Sequence, residues 1–198
     1  MAIRYYDEAL LNKIKGWVRD PNMHILGTDE STRLFQIEAV KNDDKPLTLP
    51  LIALSRDANM EILSTQKKAL TYDGGHLAMD RQYSEILNAI PIQLNYQLDI
   101  YTKYFAEADE YVRNFVFNFI NYPKLHIELP YNGANIVHDS NIFVEPTVSD
   151  NSNIPERLII GQFTRMTIRL TVDDAYLFSI PFMDNWRIDK NSNLDVVK

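Results

Sequence analysis

The feature that most constrains the fold is an alternating strand followed at once by an amphipathic helix, within residues 90–120. One phase of the strand is apolar throughout: Ile90, Ile92, Leu94, Tyr96, Leu98 and Ile100. This alternation predicts a sheet with one buried and one wet face. The helix has apolar residues at helical spacing: Phe105, Ala108, Val112, Phe115, Val116, Phe119 and Ile120. Because the two patterns are joined by a short turn, we expect Phe115, Val116 and Phe119 to pack on this strand or on its opposite phase.

The remaining pattern predicts an earlier helix and several strands. Apolar residues recur at helical spacing between positions 10 and 18, with Asp7 as a candidate cap and Pro21 after the end. Extended segments are predicted at 33–40, 47–55, 125–129, 142–148 and 158–172, then a tight turn at Asp173-Asp174 and a return strand at 175–180. Strands in series after the second helix favour antiparallel pairing. We therefore predict an α+β fold, a mainly antiparallel β-sheet with two amphipathic helices packed on it.

The domain organisation is predicted to be a single α+β domain over residues 1–198. A length of 198 residues is typical of one domain. Residues 57–80 are weakly patterned and are predicted to be a long excursion from the domain, because long loops with little internal structure are often functional or disordered. We expect this excursion to act as an arm that orders against a neighbouring subunit. The tail from about residue 189 is polar and is predicted to be loose.

Composition excludes several classes of protein. The net charge of −7 disfavours a nucleic-acid binder, which would need a basic stripe to neutralise phosphates. No apolar run approaches the roughly 20 residues that span a bilayer. The first residues lack the basic and apolar regions of a signal peptide, so a cytosolic origin is expected. The sequence contains no Cys, which rules out disulfides, thiolate nucleophiles and cysteine-based metal sites.

A search for catalytic residues gives little. The four histidines, His24, His76, His126 and His138, have no partners at a metal-ligand spacing. Asp173-Asp174 could be paired carboxylates for acid–base work, but turn chemistry explains adjacent aspartates better. No G-x-S-x-G nucleophile elbow occurs. We therefore expect a protein that is not an enzyme and has no cofactor and no metal.

The aromatic content, 11% of the residues, indicates an oligomer. Tyrosine is favoured in protein–protein interfaces because it offers a large contact area at a low entropy cost. Tyrosines at the ends of elements or on predicted wet faces, with the glycine pair of the excursion, are the candidate interface residues. They are Tyr5, Tyr6, Tyr72, Gly74, Gly75, Tyr101, Tyr104 and Tyr131.

One stretch resembles a known family. The string Ile-Pro-Ile-Gln-Leu-Asn-Tyr-Gln-Leu-Asp-Ile-Tyr-Thr-Lys at 90–103 runs into the helix at 106–121, and Pro123 and the strand at 125–130 follow. With the earlier string Leu-Pro-Leu-Ile-Ala-Leu-Ser-Arg at 49–56, this is similar to the strand–helix–strand core of tail-terminator and neck (tail-completion) proteins of long-tailed bacteriophages. The resemblance covers residues 47–130, and the excursion departs from a compact terminator core.

The resemblance implies a structural function. Proteins of that family form rings, commonly hexamers, that cap the tail tube or sheath, and they bind neighbouring tail-tube, sheath or neck proteins without a cofactor. The implied location is the virion tail or neck, assembled in the host cytoplasm. Two alternatives stay open: another virion part, such as a baseplate, sheath-associated or head–tail connector subunit, or an unrelated enzyme or small-ligand binder.

Overall fold

The computed structural model describes residues 3–35, 48–63, 70–71, 88–131, 134–154 and 162–178. These residues contain three helices: α1 (Ile3–Trp17), α2 (Thr28–Phe35) and α3 (Phe105–Asn121). Within the described ranges, none of the three has both the length and the apolar character that crossing a bilayer requires.

The strands form one sheet. They are β1 (His24–Leu26), β2 (Leu51–Ile62), β3 (Leu70–Thr71), β4 (Asn88–Thr102), β5 (Lys124–Tyr131), β6 (Ala134–Asp150) and β7 (Thr164–Phe178). Six of them lie in the order β1-β2-β4-β7-β6-β5, and β3 pairs with β4. The β1–β2 pair is parallel and the other described pairs are antiparallel. The prediction of an α+β fold with a mainly antiparallel sheet is confirmed.

The main core lies between one face of the sheet and the helices α1 and α3. Leu10 and Ile14 of α1 and Phe115 and Phe119 of α3 are fully buried in one cluster. The same cluster holds the apolar phase of β4 and its neighbours on β2, β5, β6 and β7. We call this side of the sheet the helix face and the opposite side the open face. Of the two arrangements expected, Phe115 and Phe119 therefore pack on the apolar phase of β4 and not on its opposite phase.

The third helix, α2, takes up the first three residues of the strand predicted at 33–40. Gly27 N–H donates to the carboxylate of Glu30 at 3.1 Å, which is the return half of a capping box. The Ser31 hydroxyl donates to the Gly27 carbonyl at 2.9 Å and also contacts the Leu54 carbonyl. The prediction was wrong over 33–35 because the start signal at residues 27–30 outweighs a short apolar alternation; residues 36–40 lie outside the described residues.

The hairpin turn predicted at Asp173-Asp174 is also wrong. β7 continues through both residues as one strand to Phe178. Ile92 pairs with Ala175 and Leu94 with Val172, so β7 carries one extra residue opposite β4. Asp174 has a φ of 56°, a left-handed conformation that aspartate tolerates better than most residues. The two aspartates therefore form a β-bulge.

Two other boundaries differ from the sequence analysis. Helix α1 begins at Ile3, so Asp7 lies inside the helix and does not cap it. Strand β2 begins after Pro50 and runs to Ile62, so the first six residues of the predicted excursion belong to the sheet. Residues 64–69 and 72–80 of the excursion, and the tail from residue 189, lie outside the described residues.

Candidate functional site

The eight candidate interface residues do not form one surface. Tyr104 is 64% exposed, whereas Tyr5 is half-buried on α1. Tyr6 and Tyr101 are fully buried, so their expected surface position is wrong. Tyr131 ends β5, and its side chain is outside the described part of the structure. Tyr72, Gly74 and Gly75 lie outside the described residues.

Tyr6 is buried because α1 presses it against the bulged end of β7. Its hydroxyl oxygen accepts a hydrogen bond from the Tyr176 backbone N–H at 2.9 Å. The rings of His138 and Tyr6 meet edge to face, with centroids 6.4 Å apart. Tyr6 therefore fastens α1 to the sheet, and in this fold it presents no surface to a neighbouring subunit.

Tyr101 is buried on the open face, where a wet surface was expected. Leu51, Ala53 and Tyr101 form a second small cluster, against which Phe163 packs. The Phe163 and Tyr101 ring centroids are 5.7 Å apart. The guanidinium of Arg165 lies over the Tyr101 ring at 5.3 Å. This end of the open face is thus covered, which the alternation in β4 alone could not indicate.

A buried polar cluster lies beside Tyr101. The Asp99 carboxylate accepts hydrogen bonds from Arg165 Nε at 3.1 Å and from Arg165 Nη2 at 3.0 Å. The Thr167 hydroxyl donates to Asp99 at 2.5 Å and the Gln97 amide donates at 2.8 Å. Asn151 Nδ2 in turn donates to the Thr167 hydroxyl at 2.8 Å. These hydrogen bonds join β4 to β7 and to the residues that follow β6.

A second polar cluster fixes α1 to the sheet. Arg56 Nη1 donates to Asp7 Oδ2 at 2.6 Å, and the Tyr96 hydroxyl donates to Asp7 Oδ1 at 2.8 Å. Burial raises the pKa of the Asp7 carboxyl, although both hydrogen bonds oppose that rise. Burial, with the neighbouring Asp7 carboxylate, raises the pKa of Tyr96 well above its usual value. No sequence pattern indicated this cluster, since its members are 40 or more residues apart.

His138 lies on the helix face beneath α1. Its Nε2 atom is 2.5 Å from the Asp174 carbonyl oxygen and 3.1 Å from the Ser140 hydroxyl. Its ring meets Tyr176 edge to face, with centroids 5.0 Å apart. Burial lowers the pKa of His138, against the raising effect of the carbonyl and of the nearby aspartates. Over the described ranges, no group of three or more His, Cys, Asp or Glu side chains could hold a metal ion.

The most exposed apolar side chains of α3 lie at its C-terminal half. Phe117 is 63% exposed and Ile120 is 64% exposed. They are three residues apart and so are neighbours on one side of the helix. We call this pair the α3 patch. Ile120 was predicted to lie in the buried stripe, and Phe117 was not among the candidate surface residues. The position of Phe117 between the buried residues Phe115 and Phe119 was the available signal.

An open groove of about 750 Å³ lies next to the α3 patch. One wall is the end of α1 with the residues that follow it, 16–20, and the other is α3 between Glu110 and Asn118. Phe117 belongs to the second wall. The Tyr111 hydroxyl donates to Asp20 Oδ2 at 3.0 Å and holds the two walls together. Burial and the Asp20 carboxylate raise the pKa of Tyr111 to about 12.

Charged side chains lie on both sides of this groove. Lys15 and Arg19 are exposed at the end of α1, and Asp109 and Glu110 are exposed on α3. Arg113 Nη2 donates to Glu110 at 2.8 Å within α3. The α1 wall of the groove holds Arg19 and Asp20, and the α3 wall holds Glu110 and Arg113, so each wall carries both signs of charge.

The open face carries two exposed apolar side chains on β6. Val137 is 49% exposed and Phe143 is 52% exposed, and both point away from the helix face along β6. Phe143 pairs with Thr171 of β7, whose hydroxyl donates to the Asn95 side chain at 3.3 Å. This row across the sheet is uncharged. Val137 and Phe143 are six residues apart on β6, about 20 Å along a strand, and the exposed Asp139 lies between them on the same face. We call these two separate side chains the sheet patch.

No protein-family model matches the chain, and no curated protein matches it.

Proposed function

We propose that the protein is a structural virion subunit that forms a homo-oligomeric ring, commonly a hexamer in the family it resembles, at the end of a phage tail tube or sheath. The observation that supports the proposal is that large apolar side chains are exposed on opposite sides of the subunit. The α3 patch lies on the helix layer, and the sheet patch lies on the open face. A subunit inside an assembly contacts several neighbours, whereas a monomer rarely exposes large apolar side chains in groups.

The resemblance of residues 47–130 to tail-terminator and neck proteins gives the proposal its place in the virion. Under it, the partners are further copies of the chain and the adjoining tail-tube, sheath or neck proteins. The polar clusters around Asp99 and Asp7 support a scaffold role, because their hydrogen-bonding capacity is used within the subunit. Baseplate, sheath-associated and head–tail connector subunits are other positions in the virion that the same surfaces would serve.

The test is direct imaging and mass measurement. We expect the purified protein, at high concentration or with tail tubes, to form closed rings in negative-stain images and to sediment as a single oligomer. Changing Phe143 to Ser should reduce ring formation or attachment to tubes while leaving the far-UV circular dichroism unchanged. A monomer at all concentrations that also fails to bind tail tubes would overturn the proposal.

The groove beside α3 supports a second candidate, a small-ligand binder. It is open and lined by both charged and aromatic side chains, including Arg19, Glu110 and Trp17. Ligand sites are more often deep, with few converging polar groups. A thermal-shift screen that finds a stabilising small molecule, lost on changing Tyr111 to Ala, would favour this candidate.

A further inference from the structure

The last strand of the sheet, β5, has an outer side with which no other described strand pairs. β5 ends the strand order and pairs with β6 on its inner side. The register with β6 runs from Lys124–Asn141 to Tyr131–Ala134 without a shift, so this strand is regular along its length. A regular edge strand presents a row of backbone N–H and C=O groups that can pair with a strand of another chain.

The register with β6 fixes which backbone groups of β5 point outward. Ile142 N–H donates to the Pro123 carbonyl at 2.7 Å, so these two residues form a hydrogen-bonded pair. Hydrogen-bonded and non-hydrogen-bonded pairs alternate along an antiparallel ladder. The next residue and every second one after it therefore direct their backbone groups away from β6. These residues are Lys124, His126, Glu128 and Pro130.

The two ends of this outer edge are closed in different ways. The Lys124 carbonyl accepts a hydrogen bond from Lys13 Nζ of α1 at 2.7 Å, which agrees with its outward direction. Pro130 has no N–H to donate, and prolines within sheets lie where the missing N–H would face outward. Between these ends, His126 and Glu128 each direct an N–H and a C=O outward. Their side chains are 60% and 59% exposed.

We propose that β5 pairs with β5 of a second copy of the chain, in antiparallel orientation, across a two-fold axis at Ile127. In this register His126 lies opposite Glu128 of the partner, and the reverse pair follows by symmetry. Each of these pairs exchanges two backbone hydrogen bonds. The contact goes beyond the proposed ring, because a two-fold contact is separate from the head-to-tail contacts that close a ring.

The donors and acceptors at the ends of the edge also match in this register. Lys124 lies opposite Pro130 of the partner, and its N–H donates to the carbonyl of that proline. Of the four outward carbonyls on each copy, only that of Lys124 meets no N–H across the axis. It is the carbonyl that Lys13 already satisfies. The edge of β5 is therefore complementary to itself, and this property identifies a second copy as the occupant.

A register shifted by one step is less favourable. It places His126 opposite His126 of the partner and brings the Lys124 carbonyl, already bonded to Lys13, opposite the N–H of Glu128. The proposed register instead faces a basic side chain with an acidic one, and opposite charges stabilise a cross-strand pair. The contact between His126 Nδ1 and Asp139, at 2.8 Å, lies on the β6 side of His126 and is kept in the dimer.

The first experiment removes an outward donor from the full chain. Glu128→Pro deletes an N–H that faces the partner and leaves the hydrogen bonds between β5 and β6 in place. Two hydrogen bonds are lost per dimer, so we expect the dimer dissociation constant, measured by sedimentation, to rise about 30-fold. Glu128→Ala is the matched control, because it removes the same side chain and keeps the N–H; its dissociation constant should rise less. Far-UV circular dichroism establishes that both variants are folded.

The second experiment tests the match between Lys13 and Pro130. In Lys13→Met the Lys124 carbonyl faces Pro130 of the partner with no donor, and we expect the dimer dissociation constant to rise about 5-fold. Adding Pro130→Ala supplies an N–H at that point and should restore wild-type affinity. A role of Lys13 confined to its own subunit does not predict this rescue. A double variant as weak as Lys13→Met would contradict the proposed register.

The third experiment reads the register through disulfides, since the chain has no Cys of its own. His126→Cys and Glu128→Cys place the two cysteines opposite each other when the variants are mixed. Two copies of the same variant hold their cysteines about 7 Å apart along the strand and about 5 Å across it, too far for a disulfide. We expect a cross-linked heterodimer in the oxidised mixture and little cross-linking of either variant alone. Cross-linking of His126→Cys alone, with none in the mixture, would overturn the proposal.

The outcomes distinguish this contact from the proposed function. If the wild type dimerises through β5 but forms no rings with tail tubes, the contact stands and the proposed function falls. If Glu128→Pro dimerises as the wild type does, the contact falls whether or not rings form. A wild type that is monomeric at about 1 mM would also overturn the contact.

Discussion

Asp99 and Arg165 form a bidentate ion pair on the open face of the sheet, with the carboxylate fully buried and Arg165 only 4% exposed. The two residues lie on neighbouring strands, β4 and β7. The carboxylate also receives hydrogen bonds from Thr167 and Gln97. Burial of two charges is costly unless they are paired and hydrogen-bonded, and this pair meets both conditions.

Breaking this pair from one side is expected to be strongly destabilising. Arg165→Leu leaves the Asp99 carboxylate buried without its partner, so we expect a loss of about 3–5 kcal/mol in the free energy of unfolding. The measurement is chemical denaturation at neutral pH. The exposed pair of Arg113 and Glu110 provides the control, since Arg113→Leu should cost about 1 kcal/mol or less. Equal losses for both variants would contradict the structural role given to Asp99 and Arg165.

Two phenylalanines of α3 give a matched test of core packing. Phe115 is fully buried and Phe117, two residues later, is 63% exposed. We expect Phe115→Ala to lower the free energy of unfolding by about 3–5 kcal/mol, because a cavity forms against β4. Phe117→Ala in the monomer should change it by about 0.5 kcal/mol or less. An unchanged denaturation midpoint for Phe115→Ala would show that the described packing of α3 is wrong.

His138 is expected to make the fold sensitive to mild acid. Burial lowers its pKa in the folded state, so the unfolded chain binds the proton more readily. The stability contributed by the neutral ring is fully present above the usual histidine pKa of about 6.5 and is lost as the pH falls through that value toward the lower folded pKa. The charged and titratable groups around the ring are Asp139, Asp174, Tyr6 and Tyr176.

The measurement for His138 is the free energy of unfolding as a function of pH between about 5 and 7.5, a range that brackets the usual histidine pKa. We expect His138→Gln to be less stable than the wild type at the upper end of the range and to show a shallower decline on acidification. If the stability of the variant depends on pH as that of the wild type does, His138 is not the cause of the acid sensitivity.

The protein is expected to need no metal. The sequence has no Cys, and the described residues contain no cluster of three or more potential ligands. A chelator should therefore leave the thermal unfolding midpoint and the oligomeric state unchanged. Elemental analysis of the purified protein checks this independently, and a stoichiometric amount of zinc would contradict the expectation.

The sequence by itself determined the elements whose pattern is long and regular. The alternation in β4 and the helical spacing in α3 predict both elements nearly to their ends, because period and length leave no competing structure. The same reasoning identified β5 from three apolar residues in phase. The strands that follow α3 in series indicated the fold class, since strands joined by short connections favour antiparallel pairing.

Where a local sequence preference conflicts with long-range contacts, the tertiary structure decided the conformation. Asp173-Asp174 has the composition of a turn, yet pairing with both β4 and β6 holds β7 continuous and turns the extra residue into a bulge. Asp7 is a residue type that favours a helix cap, yet it lies inside α1. There its carboxylate accepts hydrogen bonds from Arg56 and Tyr96. In each case contacts with distant strands outweigh a local preference of about 1 kcal/mol.

Which side chains are exposed was decided by the tertiary structure alone. Tyr101 and Asp99 belong to the polar phase of β4, but residues from other parts of the chain cover that end of the open face and bury both. Phe117 is as apolar as its buried neighbours Phe115 and Phe119, but the direction of α3 on the sheet turns it outward. A one-dimensional pattern gives the phase of a strand or helix, whereas exposure depends on what packs against each phase.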